Sequence, residues 1–173
     1  MGTRVFRAEE GFEPVDLLKY ARGHLYSAEV LFGTAFQSFD SAGHLAHLAI
    51  ELLLKAAILH ASGSFPGEHD LGRLLKTAAN AGLSFQQTGD LEGVLFLLDG
   101  FKESRYPNPL APVQIGNADL PGIQKLWNAL LAQLPSDLRD AWEQADHITK
   151  GGRVLMVRDD SKPGATPSGP RTT

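Results

Sequence analysis

Cysteine is absent from the 173-residue chain, and this excludes disulfides, thiolate metal sites and thiol nucleophiles together. A dominant charge of one sign is also missing. Sixteen basic residues stand against twenty acidic ones, for a net charge of −4. A generally basic, nucleic-acid-coating surface is therefore unsupported, although a local basic patch stays open. No uninterrupted apolar run is long enough to cross a bilayer. The greasiest stretch, Leu45 to Leu59, is broken by Glu51 and Lys55. The first residues, MGTRVFRAEEGFEP, contain no apolar signal core. No internal repeat, no convincing period-two alternation and no GxxxxGK[ST], HExxH or GxSxG motif occurs. These absences predict one soluble domain of a reducing cytoplasm, without a membrane span and without a cofactor.

What the chain does contain is helical periodicity. Pro14 suits a first helical turn, and Leu17, Ala21, Leu25, Ala28, Phe32 and Ala35 then recur at steps of three and four, to about Gln37. A second helix is expected from Asp40 or Ser41 as N-cap to a left-handed stop at Gly63. A third follows from Asp70 and closes at Gly82. A fourth covers about Asp90 to Ser104 despite Gly93 and Gly100, each of which weakens a helix by roughly 1 kcal/mol relative to alanine. Arg105-Tyr106-Pro107 ends it, and the proline-rich segment PNPLAPVQIG is read as a long loop of the kind that often carries function. A fifth helix runs from Asp119 to Leu134 and a sixth starts at Ser136. RVLMV, after Gly151-Gly152, is a lone strand-like pentamer. The expected organisation is a flexible N-terminus over 1–13, a helical domain over 14–150 and a disordered tail over 151–173. The fold class is all-α, an up-and-down bundle of four to five helices plus a C-terminal helix.

The second helix carries the chemistry. After Gly43 it is apolar except for His44, His47, Glu51, Lys55 and its last residue, His60. At 100° per residue the first four fall within about 80° of arc. Such a stripe on a helix otherwise greasy all round faces solvent, a partner or a site. The solvated version is a surface face with a Glu51–Lys55 pair of the favourable i,i+4 order, worth about 0.2–0.5 kcal/mol. The second version is a polar groove or dimer surface. In the third, His44, His47 and Glu51 converge on a metal, since imidazole and carboxylate suit zinc. One helix seldom supplies all three ligands, and no other cluster completes the set. Elsewhere, His69 precedes Asp70, itself a helix N-cap by position, and reaches function only if the loop carries it to the stripe. Arg105 stands where it can cap the last carbonyls of a helix or contact an anion with its fork, and Tyr106 could stack a base.

The strings AHLAIELLLKAA (Ala46–Ala57), GEHDLGRLL (Gly67–Leu75) and SRYP (Ser104–Pro107) resemble, in order and spacing, the HEPN family of small helical bundles. The likeness covers roughly Pro14 to Leu134. It implies a bundle that commonly forms a homodimer. It also implies either an RNA-cutting toxin of prokaryotic toxin–antitoxin and defence systems, often paired with a small nucleotidyltransferase, or a non-catalytic module with nucleotide binding. The nuclease members carry arginine, four to six residues, then histidine. Arg105 matches the arginine, but Leu110, Ala111 and Pro112 occupy the histidine positions, and Arg139 to His147 is one position too long. Cleavage needs a base at the 2′-hydroxyl and a cation for the phosphate, and Leu110 supplies neither.

The expected function is thus a non-catalytic HEPN-like binding module, engaging a second copy, a nucleotidyltransferase-like subunit or a nucleotide or RNA anion. Glu51, Lys55, His69, Arg105, Tyr106 and His47 form its contact surface. The alternatives are a ribonuclease toxin with a displaced histidine, using Arg105 and His69, and a purely structural interaction protein.

Overall fold

A computed structural model describes residues 4–34, 38–86, 89–101 and 114–149, the last four of these by backbone alone. The described residues form an all-α bundle with one small two-stranded ribbon. Helix α1 (Pro14–Phe32) opens on its proline and buries Leu17, Leu18, Ala21, Leu25, Ala28 and Phe32, the seam that the periodicity marks. It stops at Phe32, short of Gln37. Gly33 and Thr34 close it with turn bonds to Val30 and Leu31.

Helix α2 (Phe39–Ser62) is the axis of the molecule, packed mainly on α1 and in contact with α3, α4 and α5. It begins one residue before Asp40, and Ser38 at the N-cap makes no side-chain bond, so neither expected cap operates. Gly63 ends it in the left-handed conformation, φ 71°, and its N–H donates to the Leu59 carbonyl. By length and composition this 24-residue helix could cross a bilayer, contrary to the expectation from its apolar run. It is instead the core helix of the bundle, 78% buried across its most apolar window. Phe101 seats its ring on Gly43, where a Cβ would stand 2.5 Å from the ring.

Helix α3 (Leu71–Asn80) starts as expected, the Asp70 carboxylate accepting from the Arg73 N–H at 2.9 Å. Gly82, at φ 84°, follows its end. Helix α4 (Gly89–Asp99) ends five residues before Ser104. Gly100 and Phe101 tighten into i→i−3 bonds with Leu97 and Leu98, which is how an α-helix commonly runs out. Helix α5 (Leu120–Ala132) buries Ile123, Leu126, Trp127 and Leu130, and α6 (Ser136–Thr149) returns onto α1. Asp119 does not cap α5. Its carboxylate accepts from the Gly116 N–H, 2.8 Å, and fixes the turn before the helix.

The N-terminus departs most from expectation. Residues 4–10, read as flexible, carry regular structure: strand β1 (Val5–Arg7) and one 3₁₀ turn (Ala8–Glu10). Strand β1 pairs antiparallel with β2 (Ser64–Pro66), with Phe6 opposite Phe65. Phe6, Phe12 and Phe65 interlock with ring centroids 5.2–5.4 Å apart, which anchors the segment. The bulk of the proline-rich segment, RVLMV and the tail over 151–173 lie outside the described residues.

Candidate functional site

The stripe on α2 is not a solvated face. His47, Glu51 and Lys55 are 1%, 3% and 5% exposed. The burial comes from the elements around them: α4, β2 and the turn leading into α3. Taking a carboxylate and an ammonium out of water is costly unless each finds a partner, so their pairing is a condition of the fold.

Glu51 is the hub. Its Oε1 accepts from the Lys55 ammonium at 2.6 Å, one helical turn along. Both of its oxygens also lie within bonding distance of His69 Nδ1, at 3.1 and 3.2 Å. His47 Nε2 stands 3.3 Å from Oε2, within ion-pair range but not aligned for a hydrogen bond. Its other ring nitrogen, Nδ1, is 2.9 Å from the Leu98 carbonyl of α4. A carbonyl can only accept, so Nδ1 carries a proton there. Burial alone would push the Glu51 carboxyl up. The His47 and Lys55 contacts, with the charges of Lys55 and His69, outweigh it and hold the carboxyl at about 2. Glu51 therefore stays ionised throughout the neutral range.

His69 differs from the other three groups. Its side chain is 60% exposed. The bond from Nδ1 to Glu51 fixes the ring, and Nε2 is left on the outer side. Local chain chemistry brings it there. Strand β2 ends at Pro66, Gly67 turns the chain, and the Glu68 carboxylate accepts from the backbone N–H of both His69 and Asp70, at 3.1 and 3.3 Å. Asp70 then starts α3, and the Leu71 N–H donates to the Asp99 carboxylate of α4 at 2.8 Å. Eighteen residues separate Glu51 from His69 in the chain, yet they form one site.

Among the described residues, the two cations beside this site are each paired with a carboxylate. The Lys55 ammonium is held by Glu51 and lies 5.7 Å from the centre of the Phe65 ring. Arg73 reaches the Glu68 carboxylate at 3.1 Å. Among the described residues no group of three His, Asp or Glu side chains is arranged to hold an ion. Lys55 occupies the position on Oε1 that a cation would take. His44, the third proposed ligand, is partly exposed and lies within electrostatic reach of His24 on α1. Burial first, and then His44, holds the His24 ring below its ordinary value.

Of the residues singled out from the sequence, Glu51, Lys55, His69 and His47 come together, while Arg105 and Tyr106 lie outside the described residues. The sequence reading missed two participants. One is the Leu98 carbonyl, a backbone group with no compositional signal. The other is Phe65, whose place between turn residues gave no hint that it would cover Lys55.

The described residues form a helical bundle built round one greasy axial helix, which carries the buried carboxylate beneath the exposed histidine. A family model, the HEPN domain, matches residues 15–119, and the chain belongs to that family. No curated protein and no solved structure matches it.

Proposed function

We propose that this HEPN domain is a binding module whose partner is a protein, either a second copy or a nucleotidyltransferase-like subunit. The observation that carries this reading is the state of the cations. Lys55 is buried and neutralised by Glu51, and Arg73 is engaged by Glu68. Among the described residues, a phosphate approaching His69 meets the carboxylates of Glu51, Glu68 and Asp70, with Lys55 and Arg73 each already paired to a carboxylate. The described surface elsewhere is better suited to protein: Tyr20, Tyr26 and Phe96 are 68%, 62% and 81% exposed, and aromatic side chains of this kind are enriched in interfaces.

Sedimentation at micromolar concentration, alone and with a candidate nucleotidyltransferase-like protein, tests this together with titration calorimetry using ATP, GTP and a short RNA. Self-association or a stable complex, with no heat from the nucleotides or RNA, is the expected result. Nucleotide heat that disappears in a Lys55→Ala or His69→Ala protein would replace the protein partner with an anionic ligand.

The exposed imidazole on a buried carboxylate favours a second reading, a ribonuclease in which His69 replaces the missing motif histidine as base and Arg105 supplies the cation. Cleavage of a labelled RNA by the wild type but by neither His69→Ala nor Arg105→Ala would establish it. Growth arrest on expression, relieved by Arg105→Ala, is the cellular counterpart.

A further inference from the structure

The N-terminal ribbon is joined to the candidate site by a short covalent path. The Gly67 N–H donates to the Arg4 carbonyl at 2.6 Å, two residues before His69. The Ala8 N–H donates to the Gly63 carbonyl at 3.0 Å, at the other end of the ribbon. Between them Phe6 stacks on Phe65 with centroids 5.2 Å apart, and Phe65 is the ring that lies over Lys55. The Arg4 guanidinium sits 4.4 Å above the outer side of this stack, over Phe6. A Cβ on Gly67 would come within 3.0 Å of the Arg4 carbonyl and 3.2 Å of the Phe6 ring, so the turn is fitted against the strand.

The attachment is limited in kind. Strand β1 has three residues, two of them exposed, and its only extensive packing among the described elements is with β2. An isolated two-stranded ribbon is marginally stable in water. Gly11, left-handed at φ 89°, separates this stretch from α1 and places a conformationally permissive joint behind it. Phe6 and Phe12 pack against the edge of the core, but none of residues 4–12 is itself buried, so the segment can detach while the buried core stays closed.

We propose that residues 4–10 form a releasable clip that sets the position of the His69 turn. With the clip closed, Gly67 is pinned, Phe65 covers Lys55, and His69 Nδ1 is held on Glu51. When it opens, the Phe65 face is uncovered and the turn from Gly67 to Asp70 loses its outer support, so that His69 leaves the carboxylate. This is a property of the fold and stands apart from whichever partner the domain binds.

Amide exchange and histidine ¹⁵N spectra of the full chain test it. In the wild type the Ala8 and Gly67 amides should exchange together, and faster than the α2 core, by about tenfold or more for a local opening. Exchange of both only at the α2 rate would overturn the clip. In a Phe6→Ala protein the Gly67 amide should lose its protection, and the His69 Nδ1 resonance should move toward its position in a Glu51→Gln protein. An unshifted His69 resonance beside an unprotected Gly67 would show that the ribbon and the histidine are uncoupled. Retained protection at Gly67 would show that Phe6 does not hold the ribbon. Either result removes the proposal. If Phe6→Ala does not fold, Phe6→Leu, which keeps apolar volume but loses the ring stack, carries the same two readouts, and the wild-type exchange comparison decides on its own.

Discussion

The two sides of the Glu51 carboxylate are built differently. On the inner side, His47 and Lys55 come from the same helix, are almost without solvent, and are fixed by the helical repeat and by the Leu98 carbonyl of α4. On the outer side, His69 arrives on a turn, is mostly exposed, and depends on β2, Glu68 and the N-terminal ribbon for its place. One carboxylate thus serves a structural pair and an accessible group. These contacts keep it ionised throughout the neutral range, and that makes it a dependable anchor for the outer histidine.

Removing the carboxylate affects both sides and should have the largest effect. Glu51→Ala leaves a buried ammonium without its counter-charge and is expected to cost about 3–5 kcal/mol of stability, measured by denaturant unfolding. Acid offers the same perturbation without mutation. The folded Glu51 carboxyl sits at about 2, below the ordinary carboxylate value of about 4.5. A depressed folded value means the contribution is complete above about pH 4.5 and is lost as pH falls toward about 2. A Glu51→Gln protein should show a flatter stability profile across that window, and an unchanged slope would count against the pairing. Lys55→Met addresses the inner side alone. It keeps the stem and removes the charge, leaving Glu51 with the two imidazoles, and should cost about 1–3 kcal/mol. His69→Ala addresses the outer side alone and should cost about 1 kcal/mol or less, because the lost contact is solvent-screened. An effect of His69→Ala as large as that of Lys55→Met would erase the distinction between the two sides.

Much of the local structure was legible in the residues. The three- and four-residue steps of α1, the left-handed stop at Gly63 and the Asp70 cap all follow from nearest-neighbour chemistry, and each is found in place. The angular clustering of His44, His47, Glu51 and Lys55 was equally legible, because it needs only the helical repeat. Whether the stripe faced water was not. That depended on where α4 and the turn before α3 would pack, and burial of a charged pair has no signature in the pair itself. The β1–β2 ribbon was illegible for a related reason. Two three-residue strands 57 or more positions apart show no alternation long enough to read, and their pairing rests on three phenylalanines that look scattered until the chain is folded.

The contact between Gly43 and Phe101 ties two distant codons to one another. While a phenylalanine occupies position 101, even one methyl group at position 43 forces the ring to move, so variation at 43 is expected to be better tolerated alongside a smaller residue at 101. A library randomised at both positions would reveal this as a correlated pair, and α2 would then slide against the end of α4 most readily through joint replacement.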